Sequence, residues 1–288
     1  MTVKTTGRTV DAVVIGAGFG GIYAVHKLHN ELGLTTVGFD KAAGPGGTWY
    51  WNRYPGALSD TESYVYRFSF DRDLLQSGTW KNTYVTQPEI LEYLEDVVDR
   101  FGLRRHFRFG TEVKSAIYLE DEALWEVTTD AGDVYRAKYV VNAVGLLSAV
   151  NLPNLPGLDT FEGDIIHTAA WPEGKDLAGH RVGVIGTGST GQQVITALAP
   201  EVEHLTVFVR TPQYSVPVGN RPVTTQQIDA VKADYDRIWE QVKASSVAFG
   251  FEESTVPALA VSEEERPPRL RGGLAAWRRI PLHVCHLR

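Results

Sequence analysis

The sequence predicts an α/β fold built on two nucleotide-binding βαβ units with an antiparallel β insert between them. Two glycine-rich turns carry the first part: DAVVIGAGFGG at 11–21 and RVGVIGTGSTGQQ at 181–193, each preceded by a short β-branched apolar run. A lone GxGxxG recurs by chance, so the strand before and the helix after give the motif its weight. The insert shows as alternating runs, HFRFG, TEVKSAIYLE, ALWEVTTD and DVYRAKYVVNAVG, separated by turn residues. Together these features define two dinucleotide-binding, Rossmann-like domains.

Residues 10–40 read as strand, helix, strand, the opening of a doubly wound sheet. The stretch AAGPGGTWYWNRYPGALSDTES at 42–63 is rich in Gly, Pro and aromatics, which predicts a long ordered loop and no helix. PEILEYLEDVVDRFG at 88–102 has Pro near its start, early acids, apolar residues at helical spacing and a closing Gly, which predicts a helix. The strand that closes the insert ends in Ala143-Val144-Gly145, back beside the first turn. NLPNLPGLD at 151–159 reads as a linker, and the second βαβ begins at His180. From 224 to 250, Ile228, Val231, Tyr235, Ile238 and Trp239 fall on one helical face, which predicts a helical cap over the second domain. The expected domains are 1–150 for the first nucleotide, 151–266 for the second with the start of its cap, and a tail at 267–288.

In the first turn Gly16 allows the tight bend, Gly18 lets backbone approach a pyrophosphate, and Gly21 lets the helix pack close on its strand; Gly186, Gly188 and Gly191 repeat the pattern. The free N–H groups and positive dipole end of each following helix favour an anion. Asp40, after the strand-like TTVGF, is placed to accept hydrogen bonds from a ribose diol, so a free 2′-hydroxyl is implied and the first cofactor reads as FAD. At the matching offset after Gly186, HLTVFV ends in Arg210 and Thr211, a cation and a hydroxyl suited to a 2′-phosphate, which selects NADPH over NADH. Taken singly, Asp40 and Arg210 are also what ordinary solvated strand ends carry. The opposite choice at matching positions favours the cofactor reading.

At 288 residues and 43% apolar the chain can bury a substantial core and is long enough for two domains. MTVKTTGRTV lacks the apolar core of a secretion signal, and YVVNAVGLLSAV is too short and too polar to span a bilayer, so no membrane partner is predicted and a cytoplasmic setting is expected. The single cysteine, Cys285, permits no internal disulfide and excludes a paired-cysteine redox centre. A net charge of −7 gives no reason to expect nucleic acid, and no metal site is predicted.

Between the two units FEGDIIHTAAWP at 161–172 fits F-x-G-x-x-x-H-x-x-x-W-P in full. It resembles the fingerprint of Baeyer–Villiger monooxygenases, and GGTWYWNRYPGALSDTES, WEVTT, GLLSAVNLPN, RVGVIGTGSTG and YSVPVGN resemble the cyclohexanone-monooxygenase branch, the likeness running over about residues 8–266. The resemblance implies that Gly16, Gly18, Gly21 and Asp40 hold the adenosine pyrophosphate of FAD. It places Gly47, Thr48, Trp49, Asp60 and Tyr66 along the flavin and Val113 at the adenine. Gly186, Thr187, Gly188, Ser189, Thr190, Gly191, Gln193, Arg210 and Thr211 would hold NADPH. In such enzymes NADPH reduces the flavin, O2 adds to give a C4a-peroxyflavin, and the peroxide converts a ketone to an ester or lactone. Asp60 is expected to be a buried carboxylate that positions a catalytic arginine; an Asp capping a loop turn is the commoner role for this residue type. Phe161, Gly163, His167, Trp171 and Pro172 read as a hinge coupling the domains, with His167 structural and not a proton carrier. The aromatic cluster Trp49, Tyr50, Trp51 and Tyr54 suits either core or the walls around a flat cofactor.

Family members run well beyond this length, and the arginine that pairs with Asp60 belongs to the later portion. The chain is therefore expected to be a C-terminally incomplete, inactive fragment. Residues 267–288, PPRLRGGLAAWRRIPLHVCHLR, hold five arginines, no acid and the only Cys, unlike the text before them. Removing one base after the Arg266 codon lets permissible codons read R-R-V-Y-E-E-A-W-R-H-G-G-G-F-R-F-M-F, which is family-like, so a frameshift is expected there; a genuine basic tail or a splice scar is the alternative. Two other functions compete: a non-catalytic FAD/NADP-binding remnant, and a flavin monooxygenase that oxygenates nitrogen or sulfur, against which Trp171-Pro172 argues.

Overall fold

The computed structural model describes residues 7–147, 149–213, 215, 217–245 and 283–286. In chain order β1 (Arg8–Ile15) leads into α1 (Phe19–Val25), which continues through a π-helical turn, and then β2 (Thr36–Asp40). A one-turn α2 (Thr48–Trp51), β3 (Leu58–Glu62), α3 (Arg72–Ser77) and β4 (Tyr84–Thr86) follow. Next come α4 (Gln87–Arg100), β5 (Phe107–Phe109), β6 (Val113–Leu119), β7 (Leu124–Thr129) and β8 (Val134–Asn142). The later part holds β9 (Arg181–Ile185), α5 (Ser189–Leu198), β10 (His204–Val209), α6 (Thr225–Ala233), α7 (Tyr235–Ala244) and β11 (His283–His286).

The chain divides into two compact units, Met1–Tyr54 with Gln87–Lys175, and Pro55–Thr86 with Asp176–Arg288. The hairpin segment Pro55–Thr86 thus belongs with the second unit and not with the residues that flank it in sequence.

The first unit is a six-stranded sheet in the order β5-β2-β1-β8-β7-β6. Strands β5, β2, β1 and β8 run parallel, while β8-β7-β6 form the expected antiparallel meander. HFRFG differs from expectation: β5 joins the parallel edge beside β2 instead of the insert. Alternation fixes which side chains a strand buries but not its neighbour, and only the long-range pairing decides that. The core here is Val13, Val37, Phe39, Val127, Tyr135 and Ala137. Helix α4 buries Ile90, Leu94, Val97 and Val98, the apolar face its spacing requires, and stops at Gly102, whose φ of 65° suits a left-handed C-terminal residue.

The second unit carries the parallel sheet β11-β10-β9 and the antiparallel pair β3-β4. Its core is Ile195, Leu205, Val207 and Val209. The loop expected over 42–63 contains α2 and β3, so two short elements replace continuous loop. The single helical face expected from 224 to 250 is two helices, because Asp234 leaves helical geometry at φ −110°, ψ 11° and binds Arg237 Nε at 2.8 Å. Helix α6 starts with a capping box in which Thr224 and Gln227 satisfy each other's backbone N–H. Residues 246–250 and most of the tail, where the frameshift is expected, lie outside the described residues. The backbone of β11 pairs parallel with β10, from Thr206↔His283 to Val209↔His286.

Candidate functional site

Gly16 takes φ 107°, a conformation closed to ordinary L residues, and its N–H donates to Phe39 O at 2.8 Å. Gly18 is the extended N-cap of α1 and, having no side chain, supplies no cap of its own to the first helical N–H groups. A Cβ on Gly21 would lie 1.8 Å from Gly16 O, so only glycine lets the helix approach its strand. The Gly-Gly loop closes on the same place: Gly46 N–H donates to Ala17 O at 2.8 Å, and a Cβ on Gly47 would sit 2.8 Å from Gly18 Cα. Thr48 and Trp49 open α2 from there, with Trp49 buried and its carbonyl accepting from the buried Gln87 amide.

Asp40 ends β2 with its carboxylate accepting from Ala17 N–H at 2.7 Å and Ala42 N–H at 2.8 Å. Each oxygen keeps lone pairs for a further donor, so the anchored carboxylate still suits a diol. Thr111 N–H donates to Asp40 O at 2.9 Å, which brings the chain before Val113 to this corner. Val113 itself packs against the sheet core. Of the aromatic cluster, Tyr54 is buried, Tyr50 and Trp51 meet edge to face, and Lys41 Nζ lies 5.4 Å from the Trp51 ring centre.

The second turn repeats the first in backbone. Gly186 takes φ 101° and donates to Phe208 O at 3.0 Å; Gly188 is an extended, uncapped N-cap; a Cβ on Gly191 would lie 2.3 Å from Gly186 O. Ser189 and Thr190 begin α5. Register corrects one detail of the sequence comparison. Ile15 faces Phe39 but Ile185 faces Phe208, so Val209, not Arg210, is the counterpart of Asp40. Val209 is buried and Arg210 and Thr211 are exposed, one step further out. Thr187 Oγ1 is buried with no hydrogen-bond partner. A buried hydroxyl without a partner is costly and points to a polar group that completes it. Both turns therefore fit a dinucleotide: helix N-termini with no side-chain cap, cradles that a Cβ would fill, and at the second an orphaned hydroxyl.

Asp60 is exposed, which corrects the expectation of a buried carboxylate. Its neighbour Ser59 on β3 is buried, and successive strand side chains point to opposite faces. Gln193 Nε2 on α5 donates to Asp60 Oδ1 at 3.3 Å and to Leu58 O at 3.1 Å. Gly56, at φ 82°, fits under the same helix, where a Cβ would come 2.6 Å from Gln193 O. Tyr66 lies half-buried in this unit. In the fingerprint, His167 Nδ1 accepts from Ala169 N–H at 3.1 Å and caps a short helical turn, a structural role. A Cβ on Gly163 would sit 2.7 Å from the exposed Phe161 ring; Trp171 is half-buried and Pro172 exposed. Sequence reasoning missed the anchoring of Asp40 by Ala17 and Ala42 and the support of Trp49 by Gln87. Backbone donors carry no residue signature, and Gln87 acts across 38 positions.

Two glycine turns of one geometry define a two-dinucleotide α/β protein. The chain belongs to the flavin-binding monooxygenase-like family, which matches residues 9–218. The crystal structure of the cyclohexanone monooxygenase from Rhodococcus sp. Phi1 bound to NADP+ is 83% identical, with a TM-score of 0.88, covering 94% of this chain and 51% of that one. A Baeyer–Villiger monooxygenase of Pseudooceanicola batsensis is 60% identical over 276 residues, 96% of this chain and 50% of the relative. A phenazine N-monooxygenase of Lysobacter antibioticus is 53% identical over 256 residues, 89% and 47%. The chain spans about half the length of the curated relatives it matches.

Proposed function

We propose that this chain carries the FAD and NADPH sites of a Baeyer–Villiger monooxygenase that uses O2 to convert cyclic ketones to lactones or esters in the cytoplasm. The pair of turns carries the reading: one backbone geometry at both, an anchored carboxylate beside the first, an exposed cation beyond the second. Gly16, Gly18, Gly21, Asp40, Gly47, Thr48 and Trp49 are the FAD set, with Val113 toward the adenine. Gly186 to Gly191, Gln193, Arg210 and Thr211 are the NADPH set. Bound flavin supplies the two-electron chemistry and the activation of O2. The chain's own part is to bind and orient. Its open helix N-termini hold pyrophosphate charge, Asp40 takes ribose hydroxyls, and Arg210 pairs with a 2′-phosphate. Asp60 and Tyr66 belong to the flavin-side set, Asp60 being the carboxylate that a family arginine would pair with; here it holds the Gln193 amide. Phe161, Gly163, His167, Trp171 and Pro172 form the hinge.

The test is flavin absorbance of the purified chain followed by anaerobic addition of NADPH. FAD uptake, bleached by NADPH well before NADH, is expected. A chain that takes up neither nucleotide overturns the reading. Alone, the 288-residue chain is expected to form little or no lactone. Binding without oxygenation even after completion to family length would make it a non-catalytic nucleotide-binding remnant. A second reading, oxygenation of a ring nitrogen, has the phenazine N-monooxygenase relative in its favour. Cyclohexanone and phenazine offered side by side to a family-length version separate the two.

A further inference from the structure

The buried Gln87 amide stands at one end of a run of hydrogen bonds whose other end is the carboxylate of Asp40. Gln87 opens α4, and its Nε2 donates to Trp49 O. Trp49 N–H donates to Gly46 O at 3.1 Å, Gly46 N–H to Ala17 O at 2.8 Å, and Ala17 N–H to Asp40 Oδ2 at 2.7 Å. All five residues lie in the first unit. Each link fixes the residue that makes the next, so the amide helps to set where the carboxylate stands.

The first link exists because α2 is a single turn. In a longer helix Trp49 O would accept from Arg53 N–H, but that group donates to Trp51 O at 3.1 Å. Gln87 supplies a donor instead, from across 38 positions. A neutral amide brings donors without a charge to bury, whereas a carboxylate of the same shape brings only acceptors and repels the carbonyl. One turn along α4, Leu91 braces the same loop, its Cδ1 lying 2.6 Å from where a Cβ on Gly46 would stand. An apolar side chain thus suffices where α4 only fills space. At position 87 the helix buries a polar group, which costs free energy unless its hydrogen bond is made.

We infer that Gln87 is a positioning residue of the first nucleotide site: through Trp49, Gly46 and Ala17 it holds Asp40 in the geometry that grips the adenosine ribose. Its part is indirect. The inference rests on the FAD reading of the first turn and is independent of the substrate that is oxygenated.

The test titrates the 288-residue chain with FAD and with the FAD analogue that lacks the adenosine 2′-hydroxyl, read by flavin fluorescence, with urea unfolding as the check on fold. Wild type is expected to prefer FAD. Gln87→Leu removes the donor at similar volume and is expected to bind FAD about tenfold more weakly, with a smaller preference over the analogue. Gln87→Glu, compared with wild type at each pH, is expected to match the leucine variant at about pH 8 and to recover by about pH 5.5, because protonation returns an O–H donor to Trp49 O. Added to Asp40→Asn, Gln87→Leu is expected to cost much less than it does alone, since both changes act on one grip. Variants altered only in unfolding, full additivity with Asp40→Asn, or a wild type indifferent to the 2′-hydroxyl overturns the inference. Variants that lose the fold altogether make Gln87 a structural residue and overturn it as well. A wild-type chain that binds no FAD brings down the cofactor reading and this inference with it; a wild type that binds FAD, matched by both Gln87 variants, brings down the inference alone.

Discussion

At the first turn the charge at the strand end is Asp40, tied down by the N–H groups of Ala17 and Ala42. At the second, the register counterpart is the buried Val209, and the charge sits one step outward on exposed Arg210. Yet the glycines before them agree, with φ of 107° and 101° and the same pairing of turn N–H to strand carbonyl. The comparison separates two tasks. Backbone shape, which glycine enforces, is common to both turns; on the proposed reading it makes a place for a pyrophosphate, and the strand end decides what ribose chemistry is tolerated beside it.

The largest effect is expected from Gly21→Ala. Its Cβ would lie 1.8 Å from Gly16 O, so the helix must move, costing about 2–4 kcal/mol in urea unfolding and most of the FAD uptake. Gly191→Ala, at 2.3 Å, acts the same way on the second unit and less strongly. A Gly21→Ala chain with wild-type unfolding and flavin content breaks the claim that the turns share a close-packing need.

Next, Arg210→Ala is expected to weaken NADPH roughly 10- to 100-fold by fluorescence titration, with NADH and FAD unchanged, because a charge-assisted pair with phosphate is lost. Equal losses for both nicotinamides would show that Arg210 does not read the 2′-phosphate. Thr187→Val sharpens the contrast from the other side. Removing a buried hydroxyl without a partner raises nucleotide-free stability by about 0.5–1 kcal/mol while NADPH binds several-fold more weakly. Stability that falls instead would mean the hydroxyl is already satisfied.

The smallest effect belongs to His106 beside β5. Burial first, then the neighbouring His29, Arg105 and Arg108, hold its imidazole below the ordinary histidine range, against a hydrogen bond to Thr36 backbone. A depressed pKa means the folded state prefers the neutral ring. Its contribution is therefore present above the unfolded value near 6.5 and is lost as pH falls through the folded value. His106→Gln is expected to flatten the fall in melting temperature between about pH 7 and 5. An unchanged acid limb would assign that slope to other groups.

Both turns, α4 and the antiparallel meander were legible in the sequence because their signals are local: glycine spacing, apolar period and turn residues. The edge placement of β5 was not, since HFRFG alternates equally well in either sheet direction and its neighbour is chosen by pairing with Gly38–Asp40. The break at Asp234 was hidden because apolar spacing continues across it. Counting from Gly186 reached Arg210 but could not see that strand register puts Val209 at the equivalent place. Asp60 was expected to be buried from resemblance, whereas here it is exposed beside the buried Ser59.

The clasp between Gln193 and the Leu58–Asp60 strand has a consequence for synthesis. It joins positions 133 residues apart, and the stretch from Pro55 to Thr86 belongs to a unit whose remaining parts begin at Asp176. At about 5–20 residues per second on the ribosome, that stretch waits on the order of ten seconds for its helix. Through that interval Tyr54, Pro55, Thr86 and Gln87 mark the joints at which the chain passes between the first unit and the unfinished second one. A chaperone or a protease meeting the growing chain would find its opening there.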